Sequence, residues 1–265
     1  MSDVHTPGVE LAVSALSIRF GGLVAVEDMT FEVRTGEVLS LIGPNGAGKT
    51  SAFNAITGYL KASSGEIAYR GRRLNGLRPN DIAALGVVRT FQKTSVFGGQ
   101  SVLANVLIGL HLRSRQTPLA IVLGLPSVNR KERELEAAAW DILRFVGLEA
   151  RASEQGGALP YGQQRLLEVA IALAASPRLL LLDEPVSGMN PVEKADFMRT
   201  LERIRARDVT VLLVEHDMRT VMGVSDRIVV LNQGRIIANA PPAEIQRNPE
   251  VIRAYLGERY ARALG

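Results

Sequence analysis

Short apolar runs alternate with amphipathic stretches along this chain, and the alternation predicts a layered α/β fold. Residues 25–33 (AVEDMTFEV) alternate apolar and polar positions, the pattern of a strand with one buried face. Residues 38–42 (VLSLI), 179–183 (LLLLD) and 210–214 (TVLLV) are nearly continuous apolar runs, as strands covered on both faces of a parallel sheet require. Residues 65–69, 87–91 and 227–231 complete the predicted strands, and helices are predicted from Lys49 to about Thr57, near 162–175 and near 191–206. Residues 101–146 differ in character. They read as helical, with Leu135, Ala138, Ala139, Ile142 and Val146 on one face and Leu103, Val106, Leu107 and Leu110 making another. The expected organisation is one domain over 10–258: an α/β core at about 10–95 and 161–240, a helical insert at about 96–160, and a helical tail at about 241–265.

Composition narrows the class. Hydrophobic residues make up 46% of the 265 positions and charged residues 22%, which excludes a disordered or fibrous chain. With Cys at 0, thiolate catalysis, disulfides and cysteine-held metals are excluded. The net charge of +4 is a mild bias toward anionic partners. The polar start MSDVHTPGVE lacks the pattern of a secretory signal. The most apolar patch, 119–125, lies between Pro118 and Pro126 and is far shorter than the ~20 residues that cross a membrane. The chain is expected not to span one by itself.

The chemistry begins after the 38–42 strand. Gly43-Pro44-Asn45-Gly46-Ala47-Gly48-Lys49-Thr50 fits the P-loop pattern G-x-x-x-x-G-K-[ST], between a predicted strand and a predicted helix as its mechanism demands. Glycines let successive backbone N–H groups turn inward as a nest for phosphate oxygens, and the helix that follows aims its positive end at the same anion. Lys49 adds a full charge at the β- and γ-phosphates, and the Thr50 hydroxyl suits Mg²⁺. Ser51 is counted with the cofactor-binding residues.

The strand 179–183 ends in Asp183-Glu184, delivering two carboxylates at the strand end where open α/β sheets bind ligands. Asp183 is expected to serve Mg²⁺ through water, and Glu184, facing another direction, to polarise the attacking water. Three single residues join them. Gln92 follows strand 87–91, within reach of Mg²⁺ or water or else simply a solvated loop residue. His216 follows strand 210–214, suited either to the γ-phosphate or to a structural role. Phe20 is either a face for adenine to stack on or a core or edge aromatic.

The order of these motifs resembles the ATP-binding cassette (ABC) ATPases. It is carried by Phe20, the P-loop at 43–50, Gln92, Leu159-Pro160-Tyr161-Gly162-Gln163-Gln164-Arg165, Asp183-Glu184 and His216. The phrases IRFGGLVAVEDMTFEV, GVVRTFQ, YGQQRLLEVA, LLDEPVSGMNP, EHDMRTVMGVSDRIVVLNQG and NPEVIRAYLGE are most similar to the ATP-binding subunits of bacterial branched-chain amino acid importers, over roughly 10–258. The resemblance implies a P-loop NTPase core with an antiparallel β subdomain and a helical insert. It implies ATP and Mg²⁺ as cofactors, and catalysis by Glu184, His216, Gln92 and Lys49. Metal contacts would come from Thr50, Gln92 and Asp183, and adenine stacking from Phe20. Gly162 and Gln163 would cap the γ-phosphate of a nucleotide bound by a partner cassette, and residues 187–190 would cross between the two sites. The implied partners are a second, different ATPase subunit, two integral-membrane permeases docking at the helical insert, and a periplasmic or extracellular solute-binding protein reached through them. The chain would sit peripherally on the cytoplasmic face of the inner membrane. No nucleic acid is expected.

The signature segment departs from the family's common Leu-Ser-Gly-Gly-Gln. Pro160 removes both a hydroxyl and a backbone N–H where the common sequence has serine. The site formed with this segment is therefore expected to hydrolyse more slowly, and a full signature on the partner to offset it. Two rivals remain at this stage. A cassette ATPase of translation or DNA repair usually carries two cassettes or a long coiled-coil insert, neither present here. A P-loop GTPase needs an Asn-Lys-x-Asp guanine reader, and the nearest echo, Glu193-Lys194-Ala195-Asp196, falls in a predicted helix.

Overall fold

The structure, a computed structural model, describes residues 8–90, 96–113 and 126–256. The apolar patch at 119–125 lies outside them. Two compact units emerge: residues 1–89, 178–185 and 201–265 form the first, residues 90–177 and 186–200 the second.

The first unit holds both sheets. Strands β1 (Val9–Phe20), β2 (Leu23–Arg34), β4 (Ser64–Tyr69) and β5 (Arg72–Arg73) form an antiparallel sheet in the order β2-β1-β4-β5. Strands β3 (Val38–Ile42), β6 (Val87–Arg89), β7 (Leu179–Asp183), β8 (Thr210–Val214), β9 (Arg227–Asn232) and β10 (Arg235–Ala240) form a six-stranded sheet in the order β10-β9-β3-β8-β7-β6. It is parallel except for β10, which returns antiparallel along β9. Every residue of β3, β7 and β8 is buried, as their unbroken apolar runs require, while β2 alternates. Side chains such as Leu41, Leu181 and Leu212 share one core with Phe53 and Ile56. Truncating a fully buried leucine there costs about 2–5 kcal/mol.

Among the described residues the α-helices are α1 (Lys49–Ile56), α2 (Pro79–Ala84), α3 (Val102–Arg113), α4 (Pro126–Val146), α5 (Tyr161–Ala174), α6 (Pro191–Arg205), α7 (Met218–Val224), α8 (Pro242–Ile245) and α9 (Pro249–Leu256). The long strand β1 escapes the sequence pattern because bulges break its alternation: its register shifts several times against β2, and Ala15 sits at φ 49°. Strand β10 is half-buried along most of its length and gives no clean period either.

The second unit is larger than the insert expected at 96–160, because α5 groups with α3 and α4 rather than with the α/β core. Close packing of α3 on α5 gives the reason. A Cβ on Gly109 would lie 3.0 Å from both the Ala174 Cβ and the Ile171 carbonyl oxygen. The buried stripe of α3 is Val102, Asn105, Val106 and Gly109, while Leu103, Leu107 and Leu110 are half-buried. Asn105, fully buried, ties down the loop before α3 by accepting from the Phe97 N–H (2.7 Å) and donating to the Ser101 carbonyl (2.9 Å). On α4, Ala139 and Val146 are buried as expected, and Leu143 joins them.

Candidate functional site

The turn from β3 into α1 is set by two glycines that no other residue replaces. Gly43 sits at φ 154°, where a Cβ would come 2.0 Å from the Leu231 carbonyl oxygen. Gly48 caps α1 at φ 105°, where a Cβ would come 2.3 Å from the Ala25 carbonyl oxygen. α1 has no side-chain cap and no acidic residue in its first turn, so its leading N–H groups and positive dipole end are left for an anion. Lys49 curls back over the loop, its ammonium donating to the carbonyl oxygens of Gly43 (2.6 Å) and Pro44 (3.0 Å). Burial pulls its pKa below the usual lysine value, opposed by the charges of Glu184 and Asp183. Asn45, Gly46 and Thr50 are exposed, Ser51 is half-buried and Ala47 is buried.

Asp183 ends β7 with its side chain wholly buried. One carboxylate oxygen accepts a 2.6 Å hydrogen bond from Arg89 at the end of β6, and the other, Oδ1, is buried without a partner. Arg89 also donates to the Asn54 side-chain oxygen on α1 (2.7 Å) and lies over the Phe53 ring, 5.5 Å from its centroid. It thereby links the acidic strand end to the helix of the P-loop. Sequence reading missed Arg89, because a lone arginine at a strand end carries no motif. Among the described residues no three His, Asp or Glu side chains gather as a metal cage. A divalent ion would therefore draw mainly on nucleotide oxygens, as Mg²⁺ commonly does, and the orphaned Asp183 Oδ1 is a fitting protein contribution.

Glu184 adopts φ 48°, a left-handed conformation that costs a non-glycine residue about 1–3 kcal/mol. Its N–H still donates to the Val214 carbonyl oxygen (2.8 Å), just past the last pair of β7 with β8. His216 follows β8 and is exposed, its Nδ1 3.9 Å from Glu184 Oε1 and 3.8 Å from Glu215 Oε2, beyond hydrogen-bond range. Glu215, fully buried, accepts from the backbone N–H of His216 (2.9 Å) and fixes that turn. Gly43, Pro44, Asn45, Glu184 and His216 line one cavity, together with Tyr255 of α9. Tyr255 escaped sequence reading, since nothing in its neighbourhood links the tail to the P-loop.

Phe20 closes the β1–β2 hairpin opposite Leu23 and is 48% exposed, so it is not a core aromatic. Gln92 lies outside the described residues.

In the second unit Pro160 is the N-cap of α5, its carbonyl accepting from the N–H groups of Gln163 (2.9 Å) and Gln164 (3.0 Å) with no side-chain cap. Gly162 is buried against Glu193, whose carboxyl carbon would lie 2.7 Å from an added Cβ. Gln163 has a buried, unpartnered side-chain oxygen. Tyr161 is exposed, and its hydroxyl accepts from Arg165 (2.7 Å). Asn190, in the segment expected to cross between sites, caps α6: its side chain accepts from Val192 and Glu193 N–H groups, and Glu193 accepts from Asn190 N–H in return.

Similarity to known proteins runs along most of the chain. The family model described as ABC transporter matches residues 26–187, and the model described as branched-chain amino acid ATP-binding cassette transporter matches 235–261. The chain is 46% identical over 251 residues to the high-affinity branched-chain amino acid transport ATP-binding protein LivG of Salmonella typhimurium, covering 94% of this chain and 98% of that one. It is 45% identical over 249 residues to the corresponding protein BraF of Pseudomonas aeruginosa, with the same coverage of 94% and 98%. A crystal structure of an ABC transporter's ATP-binding cassette in its ADP conformation superposes with a TM-score of 0.82 at 31% identity, covering 96% of this chain and 100% of that one.

Proposed function

From the premise that this chain belongs to the ABC transporter family, as its ATP-binding subunit and ATPase, we propose that it powers an importer of branched-chain amino acids by hydrolysing ATP at the cavity bounded by the P-loop, Glu184 and His216. The observation that carries the hydrolytic reading is the convergence of a phosphate-shaped loop, a strained carboxylate and a histidine on one cavity. The substrate class rests on similarity reaching almost end to end, with a separate match of the tail at 235–261 to the branched-chain family. The comparisons do not favour a cassette ATPase of translation or DNA repair.

In this reading the N–H groups of the P-loop and Lys49 hold the β- and γ-phosphates, neutralising charge that grows as the terminal bond breaks. Phe20, exposed at its hairpin, stacks on adenine. Thr50, Asp183 and Gln92 would hold Mg²⁺, which would neutralise phosphate charge when bound. Arg89 occupies one Asp183 oxygen with its hydrogen bond and leaves Oδ1 free to contact the metal. Glu184 accepts a hydrogen bond from the attacking water and orients it in line with the leaving ADP, while His216 donates to a γ-phosphate oxygen. Gly162 and Gln163 cap the nucleotide of a second cassette.

The family acts with membrane permeases, and no helix among the described residues is long and apolar enough to cross a membrane. The finer assembly follows the same reading: two permeases, a second and different cassette, a solute-binding protein outside, and this chain on the cytoplasmic face. Purifying the tagged chain from membranes and identifying what accompanies it tests the proposal. Permeases plus a second cassette, with ATPase activity stimulated by binding protein loaded with leucine, isoleucine or valine, are expected. Stimulation by an unrelated solute alone overturns the substrate class.

A further inference from the structure

Tyr255 belongs to the tail helix α9, yet it forms a wall of the same cavity as Gly43, Glu184 and His216. Its ring packs on an apolar cluster of Ile42, Val221, Ile228, Val230, Ile245 and Val251, which anchors α9 against β3 and β9. Its hydroxyl is buried and its proton has no acceptor within hydrogen-bond range, the Gly43 backbone N–H being turned toward its oxygen instead. Burial raises the phenol's pKa to about 12, opposed by a weaker hydrogen bond from the backbone of Gly43, the first glycine of the P-loop, and the hydroxyl keeps its proton.

A buried hydroxyl whose proton finds no acceptor destabilises the fold, and a phenylalanine would fill the same apolar cluster without that penalty. Packing therefore accounts for the ring and not for the oxygen. A phenol that keeps its proton has a hydrogen to donate, and the group missing is an acceptor. The surroundings offer a loop built to take anions, and the cavity is shared with the two residues assigned above to the hydrolysed bond.

We propose that Tyr255 is a nucleotide-binding residue whose hydroxyl donates to the terminal phosphate of a bound nucleoside triphosphate, directly or through one ordered water. The inference rests on the ATP reading and extends it, because it makes the tail helix part of the phosphate site. Tyr255 then distinguishes triphosphate from diphosphate. With ADP its proton again lacks an acceptor, so the interaction adds to the preference for ATP.

The test compares the full-length chain with Tyr255→Phe, measuring thermal unfolding without nucleotide and titrating each protein with the β,γ-imido analogue of ATP and with ADP, both with Mg²⁺. The unliganded variant is expected to melt at the wild-type temperature or higher, since it loses a hydroxyl whose proton has no acceptor. Its affinity for the triphosphate analogue should fall about tenfold, as for a lost hydrogen bond to a charged group, while ADP affinity changes by less than about twofold. A lower melting temperature without nucleotide would show that the hydroxyl proton already has an acceptor and overturn the proposal. So would equal losses for both nucleotides, or no loss for either. Failure of the wild-type chain to bind either nucleotide is a different result, and it removes the ATP reading itself.

Discussion

The first turns of α1 and α5 both pair a helix N-terminus with glycine, and they are built in opposite ways. At α1 the glycines are forced: Gly43 and Gly48 have positive φ, and any Cβ would strike a backbone carbonyl. At α5 Gly162 has an ordinary helical backbone, and an added Cβ would meet the side chain of Glu193, which can swing aside. Lys49 is buried and clamped to two carbonyls, whereas Pro160 and Tyr161 face solvent. The α1 turn is thus fixed by close main-chain packing. The α5 turn exposes Pro160 and Tyr161 and packs Gly162 against a side chain rather than main chain.

The comparison predicts unequal consequences for similar substitutions. Lys49→Ala should have the largest effect, reducing turnover of the assembled transporter by about 10²–10³ and weakening ATP binding as well. Steady-state ATPase assays with nucleotide titrations check both, and near-normal activity would remove Lys49 from the site. Glu184→Gln should cost about 10² or more in turnover while leaving ATP binding intact, so that the nucleotide accumulates unhydrolysed. Equal loss of binding and turnover would mark Glu184 as a structural residue.

Stability separates the two turns next. Gly48→Ala should destabilise the chain by about 3 kcal/mol through clash and strain, against about 1 kcal/mol or less for Gly162→Ala. Urea unfolding of both variants measures the difference, and equal losses would end the contrast between rigid and adaptable turns. Pro160→Ser should raise hydrolysis only at the site this segment caps, by about two- to tenfold, the gain from one restored hydrogen bond. The isolated chain is expected to be monomeric and a slow ATPase, so a stable homodimer with brisk turnover in sedimentation and ATPase assays would refute the mixed pairing. The smallest effect is expected from Glu193→Ala, which removes half of the α6 capping box and should cost about 1 kcal/mol in unfolding experiments with nucleotide affinity unchanged.

Legibility in the sequence followed the same division. Strands β3, β7 and β8 were readable to the residue because burial on both faces leaves a continuous apolar run. The P-loop was readable because its glycines answer to local backbone geometry. Strand β1 was not, since its bulges erase the period on which strand prediction depends. The helix at 161–174 was predicted, but not its membership of the second unit, which turns on how closely α3 can approach it at Gly109.

What the sequence determined by itself was therefore the local and the periodic: the alternating layers, the phosphate loop between β3 and α1, and the two acids at the end of β7. Each is specified by neighbours a few residues apart. What only the tertiary structure decided was pairing across long separations. Arg89 meets Asp183 across 94 positions, leaving one of its oxygens without a partner. Tyr255, far from the P-loop in sequence, comes to wall the same cavity. Such contacts leave no period or spacing to read, because they arise where strand ends and helices converge when the core closes, and the chemistry of either partner alone is that of an ordinary arginine or tyrosine.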